Sequence, residues 1–130
     1  MSRKIVKPPE AEVFHYQLQD GWEVLAGKTA EDNDILSLKT ARPNDLWFHV
    51  RGMSGSHVLL RRRKGLDFTR EAIRIAAAVA AWHSKARNGG VVPVACTEAR
   101  YVTKPRGARP GTVQIRKERV IKVRPALPPD

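Results

Sequence analysis

The chain has 130 residues, 42% of them hydrophobic, with nine glycines in no period and one cysteine. That length and apolar content give one domain with its own core, and they exclude a disordered, collagen-like or disulfide-stapled chain. Lys and Arg number 24 against 13 Asp and Glu, and the excess is uneven: residues 1–50 sum to −2 and residues 51–130 to +13. A surplus confined to one part of the chain points to a polyanionic partner, nucleic acid first and an anionic membrane surface second. No apolar run reaches the ~20 residues that span a bilayer, and the start lacks the apolar stretch of a signal peptide, so a soluble, cytoplasmic protein without membrane attachment is expected.

Residues 1–11, with Pro8-Pro9 among charges, read as a flexible arm, and 12–124 as the domain. Phe14, Tyr16 and Leu18 alternate with polar residues, Asp20-Gly21 suits a tight turn, and Trp22, Val24 and Ala26 alternate again: a β-hairpin. A two-residue loop would set Tyr16 against Leu25, whereas a one-residue bulge suits Val24 better. Thr29 can cap a short helix over about 30–40, with Glu31 and Asp32 in its first turn, until Pro43 and Asn44-Asp45 break it. Leu46–Val50 and His57–Leu60 flank the loop Arg51-Gly52-Met53-Ser54-Gly55-Ser56 as a second hairpin.

Ala72, Ile75, Val79, Trp82 and Ala86 recur at helical spacing, so a long helix is expected over 69–87, capped by Thr69 and ended by Gly89-Gly90. Its run of alanines lets it lie close on a sheet. Two last strands are expected over 91–103 and 112–123, joined by a Pro/Gly-rich loop, before a proline-rich tail over 125–130. The order ββαββαββ indicates an α+β domain: a mainly antiparallel sheet of about six strands with the long helix packed on it.

Dinucleotide and Walker glycine motifs, zinc cysteine clusters and a Gly-x-Ser-x-Gly elbow are all missing, and no cofactor is expected. Cys96, in an apolar stretch, reads as a buried inert thiol. The unusual segment is 45–58. Asp45, Trp47 and His49 share one strand face, and a hairpin folded about Met53 sets His57 opposite His49. Three readings stand: a metal or acid-base site, a surface that stacks and hydrogen-bonds nucleotides, or a satisfied polar cluster inside the fold. The metal version lacks a fourth ligand with clear spacing. Beside this cluster lie Arg51, the run Arg61-Arg62-Arg63-Lys64, and Arg100, Lys104, Arg106 and Arg109, arginine-rich and in loops, as phosphate contacts require.

Asn33-Asp34-Ile35-Leu36, then Ala41–Val50, then Gly55-Ser56-His57-Val58, resemble the signature of the NFACT-R domain. Ser84-Lys85-Ala86-Arg87, Val92-Pro93-Val94 and Arg100–Gly111 are similar to that family's later blocks, so the likeness covers roughly residues 13–124. Ser54 departs from it, since bacterial members usually carry proline before Gly-Ser-His. The resemblance implies an RNA-binding module, found at the C-terminus of ribosome-associated quality-control factors that bind the large ribosomal subunit and tRNA. It also implies a stand-alone version here, since the chain is too short for the family's N-terminal domain and coiled coil. An older fibronectin-binding label on larger members finds no physical reason in these residues.

The expected function is therefore non-enzymatic binding of structured RNA, tRNA or large-subunit ribosomal RNA, with the ribosome or an RNA-modifying protein as a further partner. Lys39, Arg42, Arg51, Arg61, Arg62, Arg63, Arg100, Lys104, Arg106 and Arg109 are expected at phosphates, with Trp47, His49 and His57 as the adjoining polar or stacking surface and Asp45 orienting a histidine or an arginine. Two alternatives are a metal-assisted RNA hydrolase built on Asp45, His49 and His57, and a basic protein-interaction module.

Overall fold

The computed structural model describes residues 10–129, so most of the expected N-terminal arm lies outside the described residues. The described residues form eight strands, β1 (Val13–Gln17), β2 (Glu23–Gly27), β3 (Leu46–Val50), β4 (Val58–Leu60), β5 (Val92–Glu98), β6 (Val102–Thr103), β7 (Gln114–Ile115) and β8 (Arg119–Val123), with helices α1 (Ala30–Ile35) and α2 (Arg70–Trp82) between them. Six strands form one antiparallel sheet in the order β1-β2-β4-β3-β5-β8, and β6-β7 make a separate ribbon. Among the described residues no helix is long and apolar enough to cross a membrane.

Local chemistry sets the elements. Tyr16 pairs with Val24, so the first hairpin takes the bulged register, closed by Gly21 at φ 95°. Thr29 and Asp32 form a reciprocal capping box on α1, which continues into a π turn over Leu36–Thr40. Thr69 caps α2 through the Ala72 N–H.

The sheet is buried on both faces, which is why β3 and β4 read as apolar at almost every position. Val24, Ala26, Phe48, Val50, Val58, Leu60 and Val94 face the alanine-rich side of α2. Leu25, Trp47 and Leu59 face the other way, onto Leu36 of the π turn and Val102 of the ribbon. That second layer is absent from the expectation of one helix backing the sheet.

Three boundaries also move. The long helix ends at Trp82 instead of Arg87, because the 51–57 loop claims the backbone beyond it: Ser56 N–H donates to the His83 carbonyl (2.8 Å) and Lys85 N–H to that of Ser54 (3.1 Å). The strand expected over 91–103 breaks at a 3-10 turn, Ala99–Tyr101, where Ala99 N–H donates to the Asp45 carbonyl. The strand expected over 112–123 breaks at Lys117, whose φ of 53° turns the chain between ribbon and sheet. The C-terminal segment returns to α2, with Ala126 N–H donating to the Ala78 carbonyl. Cys96 is a buried free thiol, and burial raises its pKa.

Candidate nucleic-acid interface

The histidine pair expected from the hairpin is present. The β3-β4 register pairs Phe48 with Val58, so the next positions are His49 and His57, and their rings meet edge to face at 5.4 Å. The two differ in exposure. His57 is 2% exposed and Trp47 likewise, while His49 is half-buried and opens into a cleft.

A closed relay holds His57. Trp47 Nε1–H donates to Ser37 Oγ (2.8 Å), which leaves the serine proton for His57 Nδ1 (2.7 Å). His57 Nε2 then carries the ring's own proton to the Gly111 carbonyl (3.1 Å), an acceptor only. The imidazole is thus held neutral in one tautomer, and burial together with His49 pushes its pKa down from 6.5 to about 4. His57 N–H donates to Asn33 Oδ1, and the neighbouring Asp34 accepts from Gly111 N–H and pairs with Lys104 Nζ at 3.1 Å. Asn33-Asp34 and His57 therefore pin the Pro/Gly-rich loop against α1. Lys104 completes the pin by donating to the Arg109 and Thr112 carbonyls.

Asp45 does not reach either histidine. Its carboxylate is 1% exposed and accepts from Arg62 N–H (2.7 Å) and Arg42 N–H (2.9 Å), with Arg61 Nε at 3.2 Å. Of the two orienting roles expected for it, the structure places an arginine against it. The metal alternative loses its carboxylate to this clamp, and among the described residues no three His, Cys, Asp or Glu side chains converge on a metal-sized site.

The cleft has a volume of about 760 Å³ and lies where the 51–57 loop meets the end of α2, the start of α1 and the 110–112 segment. Gly55 allows this junction, since a Cβ there would stand 2.7 Å from that of Ser84. Phe14 and His83 stack on its rim with centroids 4.4 Å apart, and Lys28 Nζ lies 5.0 Å from the Phe14 ring. Tyr16 Oη is 2.6 Å from His83 Nε2. Burial, and for His83 the nearby Arg87, lower the pKa values of His49 and His83, so both present neutral, hydrogen-bonding rings at pH 7. Lys28, Lys85 and Arg87 supply positive charge around them; none makes an ion pair with a described residue, though Arg87 donates to the Trp82 carbonyl (2.6 Å) and lies over the Trp82 ring. Neutral rings beside uncompensated cations are what an unpaired base and its phosphates require.

The expected phosphate contacts separate into two groups. Arg51, Arg61, Arg62, Arg100 and Lys104 pair with Glu118, Asp45, Asp67, Glu98 and Asp34, and Arg63 donates to the Asp20 carbonyl while lying over Trp22. Lys39, Arg42, Arg106 and Arg109 are exposed, with no ion pair among the described residues. Apart from His49 the cleft escapes sequence reading: Phe14 reads as a hairpin residue, and Lys85 and Arg87 fall at the end of the expected helix. The signal that could have found it is that the motif blocks holding Asn33, His49, Gly55-Ser56, Ser84-Lys85-Ala86-Arg87 and Pro110-Gly111 all contribute lining residues.

Neutral imidazoles from β3 and the end of α2, ringed by cations that no described carboxylate pairs with, are the features of a nucleic-acid-binding module. The model of the NFACT protein RNA-binding domain matches residues 12–117, and the chain belongs to that family. It is 35% identical over 123 residues to the Rqc2 homolog RqcH of Bacillus subtilis and 39% identical over 102 residues to that of Streptococcus suis. Those alignments cover 95% and 78% of this chain but 21% and 18% of the relatives. The solved C-terminal part of the fibronectin/fibrinogen-binding protein from Streptococcus suis superposes with a TM-score of 0.81 at 38% identity, over 95% of this chain and 49% of that one. The chain spans about a fifth of the length of the RqcH relatives.

Proposed function

We propose that this domain binds structured RNA, tRNA or large-subunit ribosomal RNA, as a non-catalytic cytoplasmic module in ribosome-associated quality control. The observation that carries this reading is the cleft, where His49 and the Phe14-His83 stack lie within a ring of Lys28, Lys85 and Arg87. The family's RNA-binding character and the RqcH relatives support it. In this reading Arg106 and Arg109, presented by the pinned loop, extend the phosphate track, while Asp45, Trp47 and His57 hold the surface from within.

The test is an anisotropy titration against labelled tRNA and length-matched duplex DNA across a salt series. Three to six phosphate contacts give a log-log slope of roughly −2 to −5. Tighter binding to tRNA, weakened by Lys85→Glu with Arg87→Glu, is the expected result. Equal weak binding to both polymers, insensitive to those substitutions, overturns the reading. Recovery of intact tRNA with and without added divalent metal checks the non-catalytic part.

A further inference from the structure

A second concave surface lies away from the cleft, between the first half of α2 and β8 with the C-terminal segment. It has a volume of about 770 Å³. Its floor is aliphatic, formed by Ile75, Ala78, Val91 and Leu127, and Val91 and Leu127 are 53% and 43% exposed. Arg70, Arg74, Lys122 and Arg124 stand on its rim, with Glu71 as the one carboxylate among the described residues that line it. None of the four makes an ion pair with a described residue, whereas half of the cations expected at phosphates do. Arg70 and Arg74 are one helical turn apart, a like-charge spacing that weakens a helix. Arg119 extends the positive rim into an adjoining hollow shared with Arg70, Arg74 and Lys122.

We propose that this groove docks an acidic segment of a partner protein, its aliphatic side chains on the floor and its carboxylates on the arginine and lysine rim. Two features favour polypeptide over nucleic acid. Among the described residues no aromatic ring lines the groove, so bases have nothing to stack on, in contrast to the cleft with Phe14 and His83. Aliphatic floor area gains from burial only if the occupant brings apolar groups, which a sugar-phosphate backbone lacks. Charge complementarity excludes the obvious copies: the chain's own first nine residues carry Arg3, Lys4 and Lys7 with no acid, and a second copy brings a net charge of +11. The groove and the cleft lie toward opposite ends of α2, so one domain can hold RNA and a protein partner together.

The experiment uses the whole chain and two short fluorescent peptides, one alternating Glu with Leu and the other Glu with Ser, with labelled tRNA titrated in parallel. The Glu/Leu peptide binds about tenfold more tightly than the Glu/Ser peptide. Arg74→Glu with Lys122→Glu abolishes that binding and leaves tRNA affinity unchanged, while Lys85→Glu does the reverse. Both groove substitutions are at exposed positions, and the milder Arg74→Ala with Lys122→Ala gives the same ranking should the charge reversal disturb the fold. The proposal is overturned if neither peptide binds, if both bind alike, or if the groove variant weakens tRNA as much as it weakens the peptide. Loss of tRNA binding by the unmodified chain refutes the RNA reading alone and leaves the peptide arm standing.

Discussion

Acid should destabilise this domain through His57. The ring is buried, accepts a hydrogen bond from the Ser37 hydroxyl and donates one to the Gly111 carbonyl, and its pKa falls from 6.5 to about 4. Unfolded, the same imidazole binds a proton below pH 6.5, so between 6.5 and 4 the unfolded state carries more protons than the folded one. Stability is therefore fully present above pH 6.5 and lost as pH falls toward 4. At 1.36 kcal/mol per pH unit the shift corresponds to about 3 kcal/mol, a large share of the ~5–15 kcal/mol that holds a domain of this size, and roughly 10 °C in Tm. His49 and His83, both lowered by burial, add in the same direction. Urea midpoints measured at steps between pH 7 and 4 give the profile. His57→Gln is less stable at pH 7 but shows a flatter fall across that window, because a glutamine does not titrate. A wild-type midpoint that stays level from pH 6.5 to 4.5, or a Gln variant with the wild-type slope, would refute the buried neutral relay.

Asp45→Ala leaves the Arg61 guanidinium and two amides without their acceptor, and costs about 3–5 kcal/mol by denaturant unfolding. Gly55→Ala drives a methyl against Ser84 and loosens the loop from the end of α2, costing about 1–3 kcal/mol in the same assay and weakening tRNA binding. Arg106→Ala with Arg109→Ala leaves Tm unchanged but lowers the salt slope for tRNA by about 1–2. If Tm fell with it, those side chains would be holding the loop and not facing a ligand.

Element types and local signals were legible because they are local. Thr29 and Thr69 cap the helices they precede, Gly21 turns the first hairpin, and the alternation of residues 45–50 with the loop about Met53 places His49 against His57. The motif blocks also carry the family. Their roles were not legible. Asn33, Asp34 and His57 read as signature or site residues, and each spends polar atoms inside the fold, while Ser37, between the motif blocks, gave no signal of its place beside Trp47 and His57.

What the sequence by itself determined is the α+β class, the strand and helix order as far as α2, the RNA-binding family and the surplus of cations beyond residue 50, all properties of composition and of neighbours within a few positions. Only the tertiary structure decided which cations are free. Arg61 and Lys104 are neutralised by Asp45 and Asp34, 16 and 70 positions away, while Lys28 and Arg87 are brought to one cleft by the sheet and the end of α2. It likewise decided that the helix stops at Trp82 and that two late strands change sheets, because the backbone groups that end them are satisfied by loops far along the chain. Charge count is additive along a sequence; charge compensation depends on distances of a few Å between residues that only folding brings together.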